Sequence, residues 1–207
     1  MKKIAQLFFV CLTSNLFGQG VLEKLFYLLP SEYCMNLDEV GRKDEMNQMK
    51  ENYKNGERTI GFIDEKNGYL CTASVTQCSF EMCYWSHKYN DGSGGGYKII
   101  GVERGLCRGS TIFFKEVNGI LMPYTPEVLA SFNALFFFKD GVKIEEIRGL
   151  AGEFYLSLPS KGTTITVFYG SGGLDKELKK KNLLRGDKIN LIWNNGNGEF
   201  SMGEPYF

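Results

Sequence analysis

The sequence predicts an α+β protein, with N-terminal helices packed on a largely antiparallel sheet and a second α+β portion at the C-terminus. Three observations carry this expectation. Apolar residues recur at helical spacing between Val21 and Tyr53, then at a period of two from Arg58 onward. The period-two segments are separated by turn formers such as Asn67-Gly68 and Asn118-Gly119. The chain also holds 25 Gly, and aromatics make up 14% of its 207 residues, which suits strands, tight turns and a bulky core.

The first twenty residues read as an address rather than as part of the fold. Met1-Lys2-Lys3 is basic, Ile4 to Leu12 is apolar apart from Gln6, and Gly18 and Gly20 precede a cut before Val21. This is the layout of a secretory signal peptide over residues 1–20. A cut before Gln19 is the alternative, and it leaves Leu16 at the third position upstream. The apolar run is shorter than the ~20 residues a spanning helix needs. Lipidation at Cys11 would want a small residue before it, where Val10 stands. No later stretch is long and apolar enough to cross a bilayer. The expected location is therefore outside the cytoplasm, in the periplasm or at the cell surface.

Val21–Leu29 has helical spacing, and Pro30 ends it by disfavouring the helical conformation of the residue before it. A second helix is expected from about Asp38 to Tyr53. Its stripe is Met46, Met49 and Tyr53, with Arg42, Lys43, Asp44, Lys50 and Glu51 outside it, and Asn55-Gly56 closes it. Strands follow at Arg58–Ile63, Tyr69–Val75 and Phe80–His87. The glycine-rich stretch Tyr89–Gly96 is a connection, and Tyr97–Val102, Ser110–Glu116 and Ile120–Tyr124 complete an antiparallel meander. Pro126–Phe138 reads as a helix giving way to an extended run at Leu135–Phe138. Glu153–Leu158 and Thr163–Tyr169 form a hairpin around Pro159–Gly162. Leu174–Leu184 reads as a basic helix, and Lys188–Asn194 with Gly198–Met202 as a last hairpin. Asp140–Gly152 is the internal boundary, giving portions 21–140 and 141–207 of one compact unit.

Cysteine and histidine usage restricts the chemistry. Removing Cys11 with the leader leaves Cys34, Cys71, Cys78, Cys83 and Cys107, an odd set of possible disulfide or free-thiol positions. Spacing does not choose among the pairings, and small buried thiols are the alternative to bridges. There is no Cys-x-x-Cys and only one His, so neither a Cys/His zinc site nor a thioredoxin-like motif is expected, and no cofactor is assigned. That His, His87, lies four residues after Cys83. On a strand the two share a face two steps apart, which is long for a hydrogen bond, so a Cys83/His87 nucleophile pair would need a bend between them.

Other motifs carry less. Tyr169–Gly173 leads from a strand into the basic helix, but Asp175 stands where a glycine would complete a phosphate-binding turn. Asn90–Gly94 lacks the further carboxylates of a calcium loop. Lys176, Lys179, Lys180 and Lys181 solvate a helix face, or meet an anionic surface or glycan. Carboxylates abound, as in Asp38-Glu39 and Glu145-Glu146, but a hydrolase needs two placed across a cleft. The balance of 24 basic against 24 acidic residues argues against a dedicated nucleic-acid binder, and the 43% hydrophobic content against disorder.

Three stretches, VLEKLFYLLPSEY, RKDEMNQMKENYKNG and LRGDKINLIWNNGNGEF, stand in this order along the chain. Together they resemble a family of small exported proteins of unknown function from Bacteroidota. The landmarks are Pro30, Asp44, Gly56, Trp193, Gly198 and Phe200. The resemblance implies export and an α+β build, and it assigns no catalytic residue. The Cys-rich middle and its glycine-rich loop lie outside it.

The functional expectation is an exported, soluble, non-catalytic protein that binds a partner protein, small molecule or glycan. Its rivals are an envelope hydrolase using paired carboxylates or the Cys83/His87 pair, and a structural envelope component.

Overall fold

The computed structural model describes residues 20–57, 61–73, 79–105, 111–147, 153–170 and 181–207. The predicted leader, Cys78, Cys107 and most of the predicted basic helix lie outside the described residues.

The fold is α+β and has three layers. Helices α1 (Val21–Leu28) and α2 (Glu39–Lys54) form the first. A six-stranded sheet forms the second. Its strands are β1 (Gly61–Asp64), β2 (Tyr69–Ala73), β3 (Ser79–Lys88), β4 (Gly96–Gly105), β5 (Thr111–Val117) and β6 (Ile120–Tyr124). The third is a four-stranded sheet of β7 (Glu153–Ser157), β8 (Thr164–Gly170), β9 (Lys188–Asn194) and β10 (Glu199–Met202). Every pairing is antiparallel, and both sheets are meanders in which chain neighbours are sheet neighbours.

Strand alternation sorts the large sheet's side chains into two cores. Ile63, Leu70, Phe80, Met82, Ile100, Val102 and Phe114 face the helices and meet Leu22, Leu25, Phe26, Met46 and Met49. Their alternates Phe62, Tyr69, Cys83, Trp85, Ile99 and Phe113 face the small sheet and meet Ile165, Val167, Ile189, Leu191, Trp193 and Phe200. The second core is therefore shared by the 21–140 and 141–207 portions. The large sheet is buried on both faces at its centre, which explains continuous apolar runs such as Ile99-Ile100.

Local chemistry sets the boundaries. Asp38 caps α2 by accepting the Gly41 N–H at 2.8 Å, and Gly56, at φ +76°, leaves it. The β5–β6 turn uses Asn118 and Gly119, both at positive φ, as a two-residue hairpin requires. Helix α1 is held at both ends. Glu65, in the β1–β2 turn, accepts the Leu22 and Glu23 N–H groups at 3.1 Å each. At the other end Arg42 of α2 donates through Nη1 to the Phe26, Tyr27 and Leu29 carbonyls and through Nε to Leu37. Sequence periodicity placed Arg42 on the outer face of α2, and the structure buries it to 8% exposure. A guanidinium can be buried there because the carbonyl end of α1 supplies partners and a negative field.

Two further expectations are corrected. Leu135–Phe138 is not an extended strand. Ala134–Phe137 is a 3₁₀ turn that follows a one-turn helix α3 (Glu127–Ala130) and drives Phe137 and Phe138 into the inter-sheet core. The predicted helix ending at Leu184 does not reach that far. Residues 181–182 form a turn, and Leu184 makes a β-bridge with Phe138.

Candidate functional site

The only His stands at the end of β3, in a groove of about 350 Å³ at one end of the large sheet. The register pairs His87 with Tyr97 of β4. The groove is walled by these two, by Lys98 and Glu116 of neighbouring strands, by Asn118 of the β5–β6 turn, and by Gly94–Gly96. Asp91 and Ser93 shape that glycine loop: Asp91 accepts the Ser93 N–H at 2.9 Å, and Ser93 Oγ accepts the Gly95 N–H at 3.1 Å.

Contacts from the small sheet fix the floor. His87 Nδ1 lies 3.1 Å from the Asn195 carbonyl, and Tyr97 donates its hydroxyl to the Gly198 carbonyl at 2.9 Å. Because a carbonyl only accepts, the neutral imidazole carries its proton on Nδ1 and offers Nε2 as an acceptor. Gly198 sits at φ +73°, and any β-carbon there would collide with the Tyr97 hydroxyl. The β9–β10 turn is thereby seated on His87 and Tyr97.

Aromatic rings and Lys115 gather on the face of the sheet that carries His87 and Tyr97, and Lys98 and Glu116 lie on the alternate face. The rings of His87, Tyr89 and Tyr97 form a cluster with centroids 5.0–6.1 Å apart. The Lys115 ammonium lies 3.8 Å from the Tyr97 ring centroid, within cation–π range. Tyr89 is 41% exposed and packs its ring against His87 and Tyr97, beside the groove. Lys98 pairs with the buried Glu116 at 2.9 Å. Burial pulls the Glu116 pKa up, but the Gly119 N–H and Lys98 outweigh it and hold the group below its usual value. Glu116 thus stays ionised beside the groove.

Cys83 does not join this group. It lies on the same face as His87, but Trp85 stands between them. Cys83 is buried in the inter-sheet core, where desolvation pushes its thiol pKa well up. Cys34 is buried at the end of α1, donating to the Phe26 carbonyl at 3.6 Å, and Cys71 is half-buried on β2. No disulfide joins any two of the described cysteines Cys34, Cys71 and Cys83.

A second arrangement was missed by sequence reasoning. The register aligns Cys71, Glu81, Glu103 and Thr111 in one row across β2–β5, on the face toward the small sheet. Glu81 and Glu103 are direct cross-strand partners, a placement that sets side chains about 5 Å apart. They share a cleft of about 290 Å³ with Leu156, Ser157, Tyr155 and Phe168, the last two stacked at 5.0 Å. Burial raises the Glu81 pKa, and burial together with the Glu81 charge pushes Glu103 up to about 7. A signal was present: each glutamate alternates with core residues on its strand, Glu81 with Cys83 and Trp85, and Glu103 with Ile99 and Gly101. Among the described residues no group of His, Cys, Asp or Glu is arranged to hold a metal, and no helix is long and apolar enough to cross a membrane.

No family model matches the chain, and no curated protein matches it. A solved domain of an uncharacterized protein from Porphyromonas gingivalis W83 shares the fold, with a TM-score of 0.59 at 12% identity. The superposition covers 89% of this chain and 98% of that domain. At that identity the likeness establishes the fold alone. The organism belongs to the Bacteroidota, the group toward which the sequence resemblance points.

Proposed function

We propose that the chain is an exported, non-catalytic binding protein and that the His87–Tyr97 groove takes a glycan. The observation that carries this reading is the exposed Tyr89 ring, clustered with His87 and Tyr97, beside a groove that Lys98, Glu116 and Asn118 also line. Sugars offer apolar C–H faces to rings and hydroxyl groups to such polar side chains, and an aromatic with a polar rim recognises both. The hydrogen bonds from His87 and Tyr97 to the β9–β10 turn hold the site before a ligand arrives, which lowers the entropic cost of binding. Isothermal titration of a panel of neutral oligosaccharides into the full chain should find a binder, and Tyr89→Ala should weaken it about tenfold without lowering the melting temperature. Absence of any binder, or a binder indifferent to Tyr89, would reject the glycan assignment. Intact-mass measurement of secreted protein tests export separately: loss of residues 1–20 is expected, and a retained Met1 contradicts it.

The carboxylate row favours a second reading, an envelope hydrolase. Glu103, raised to about 7, would be a general acid about half protonated near neutral pH. Turnover of a chromogenic glycoside or ester that Glu103→Gln abolishes would support it, and turnover unaffected by that change would remove the pair from consideration.

A further inference from the structure

Where the end of α1 meets the start of α2, a cavity of about 600 Å³ is lined by Tyr27, Ser31, Leu37, Asp38, Glu39, Arg42 and Lys43. Its volume is that of a small-molecule site. Arg42 forms its inner wall and is only 8% exposed. Three carbonyls take Nη1 and a fourth takes Nε, while Nη2 makes no hydrogen bond to any described residue. Nη2 is not sealed from solvent, so its two N–H groups are open to water that reaches the cavity. A ligand acceptor would replace that water at a cation whose other N–H groups are already held by the protein.

The surroundings narrow the ligand. Ser31 and Tyr27 add hydroxyl donors, and burial followed by the Glu23 charge raises the Tyr27 pKa, so its phenol keeps its proton. The two carboxylates are already engaged, Asp38 with the Gly41 N–H and Glu39 with Lys43. Glu39 thus neutralises Lys43, whereas Arg42 has no carboxylate partner among the described residues. Asp38 and Glu39 nevertheless bring two negative charges close by, which oppose a doubly charged phosphate more than a single carboxylate. Leu37 and the Tyr27 ring supply apolar wall. We propose that this cavity binds a small monocarboxylate, with its carboxylate oxygens accepting from Arg42 Nη2 and from the Ser31 and Tyr27 hydroxyls, and its apolar part against Leu37 and the Tyr27 ring. This is a second site, independent of the His87 groove.

The test is a benzoate titration of the isotope-labelled full chain followed by amide and arginine Nε–H NMR signals. Saturable shifts confined to residues 27–31 and 37–43, with a Kd on the order of 1 mM, are expected. Arg42 itself caps α1, so its replacement would confuse folding with binding. Ser31→Ala and Tyr27→Phe leave the cap in place, and each should weaken benzoate about fivefold. Inorganic phosphate should bind more weakly than benzoate, and Tyr89→Ala should change nothing. Shifts that are absent, centred elsewhere, unaffected by both substitutions or matched by phosphate would overturn the proposal.

Discussion

Two side chains show how far a residue's neighbours change its chemistry. Glu103 sits opposite Glu81 in a partly dry cleft, so its folded pKa is raised to about 7. The unfolded chain releases this proton at lower pH, in the ordinary carboxylate range. The folded state therefore binds more protons between those values, and stability falls as pH rises through that window. Glu103→Gln removes the repulsion: the variant should match the parent near pH 4 and melt at a higher temperature near pH 8. Equal melting temperatures at both pH values would show that Glu103 titrates normally. Arg42 presents the opposite case, a charge stabilised by its burial site. Arg42→Ala strands the carbonyls of Phe26, Tyr27 and Leu29, and a urea melt should register a loss of about 3 kcal/mol. A loss below about 1 kcal/mol would mean that water replaces the guanidinium. Arg42 could have been found in the sequence, because it lies four positions before Met46 and seven before Met49, on the buried stripe. Its acceptors, thirteen to sixteen residues upstream, leave no periodic trace.

At the scale of elements, the helices and most strands were readable because period and turn chemistry agreed. The Asp38 cap and Gly56 stop bound α2, and Asn118-Gly119 sets the β5–β6 register. Leu135–Phe138 failed for a physical reason. Four consecutive apolar residues carry no period, so a buried strand and a buried 3₁₀ turn look alike. The carboxylate row failed differently, since residues more than twenty positions apart meet only once the register of β3 and β4 is known. One glycine governs how the elements stack. A β-carbon on Gly101 of β4 would meet Leu158 at 3.0 Å, Trp85 at 3.2 Å and Phe113 at 3.3 Å. Leu158 belongs to the segment leaving β7, so the two layers touch where β4 lacks a side chain. Gly101→Val should cost about 3 kcal/mol in a denaturant melt. A cost under about 0.5 kcal/mol would show that the layers separate freely there.

The whole molecule is two sheets pressed face to face with helices on one outer side, and the α+β class was readable from the sequence at this level. The sandwiching was not, because alternation says which residues turn inward and not which sheet they meet. Exposed Ile120 and Met122 mark β6 as an edge of the large sheet, and Pro123, which lacks an N–H, weakens that edge as a template for another strand. The meander order has a kinetic consequence. Every strand pairs with one close in sequence, so each sheet closes short loops before long ones. The distant encounter is the meeting of sheets, and its reporters are native to the chain. Trp85 on β3 donates to the Thr163 carbonyl at 2.8 Å and packs on Trp193 and Phe200, which lie more than a hundred positions later. In stopped-flow refolding, backbone circular dichroism should recover before tryptophan emission, with the delay measuring the time two finished sheets take to find each other. Simultaneous recovery would mean that neither sheet persists without its partner.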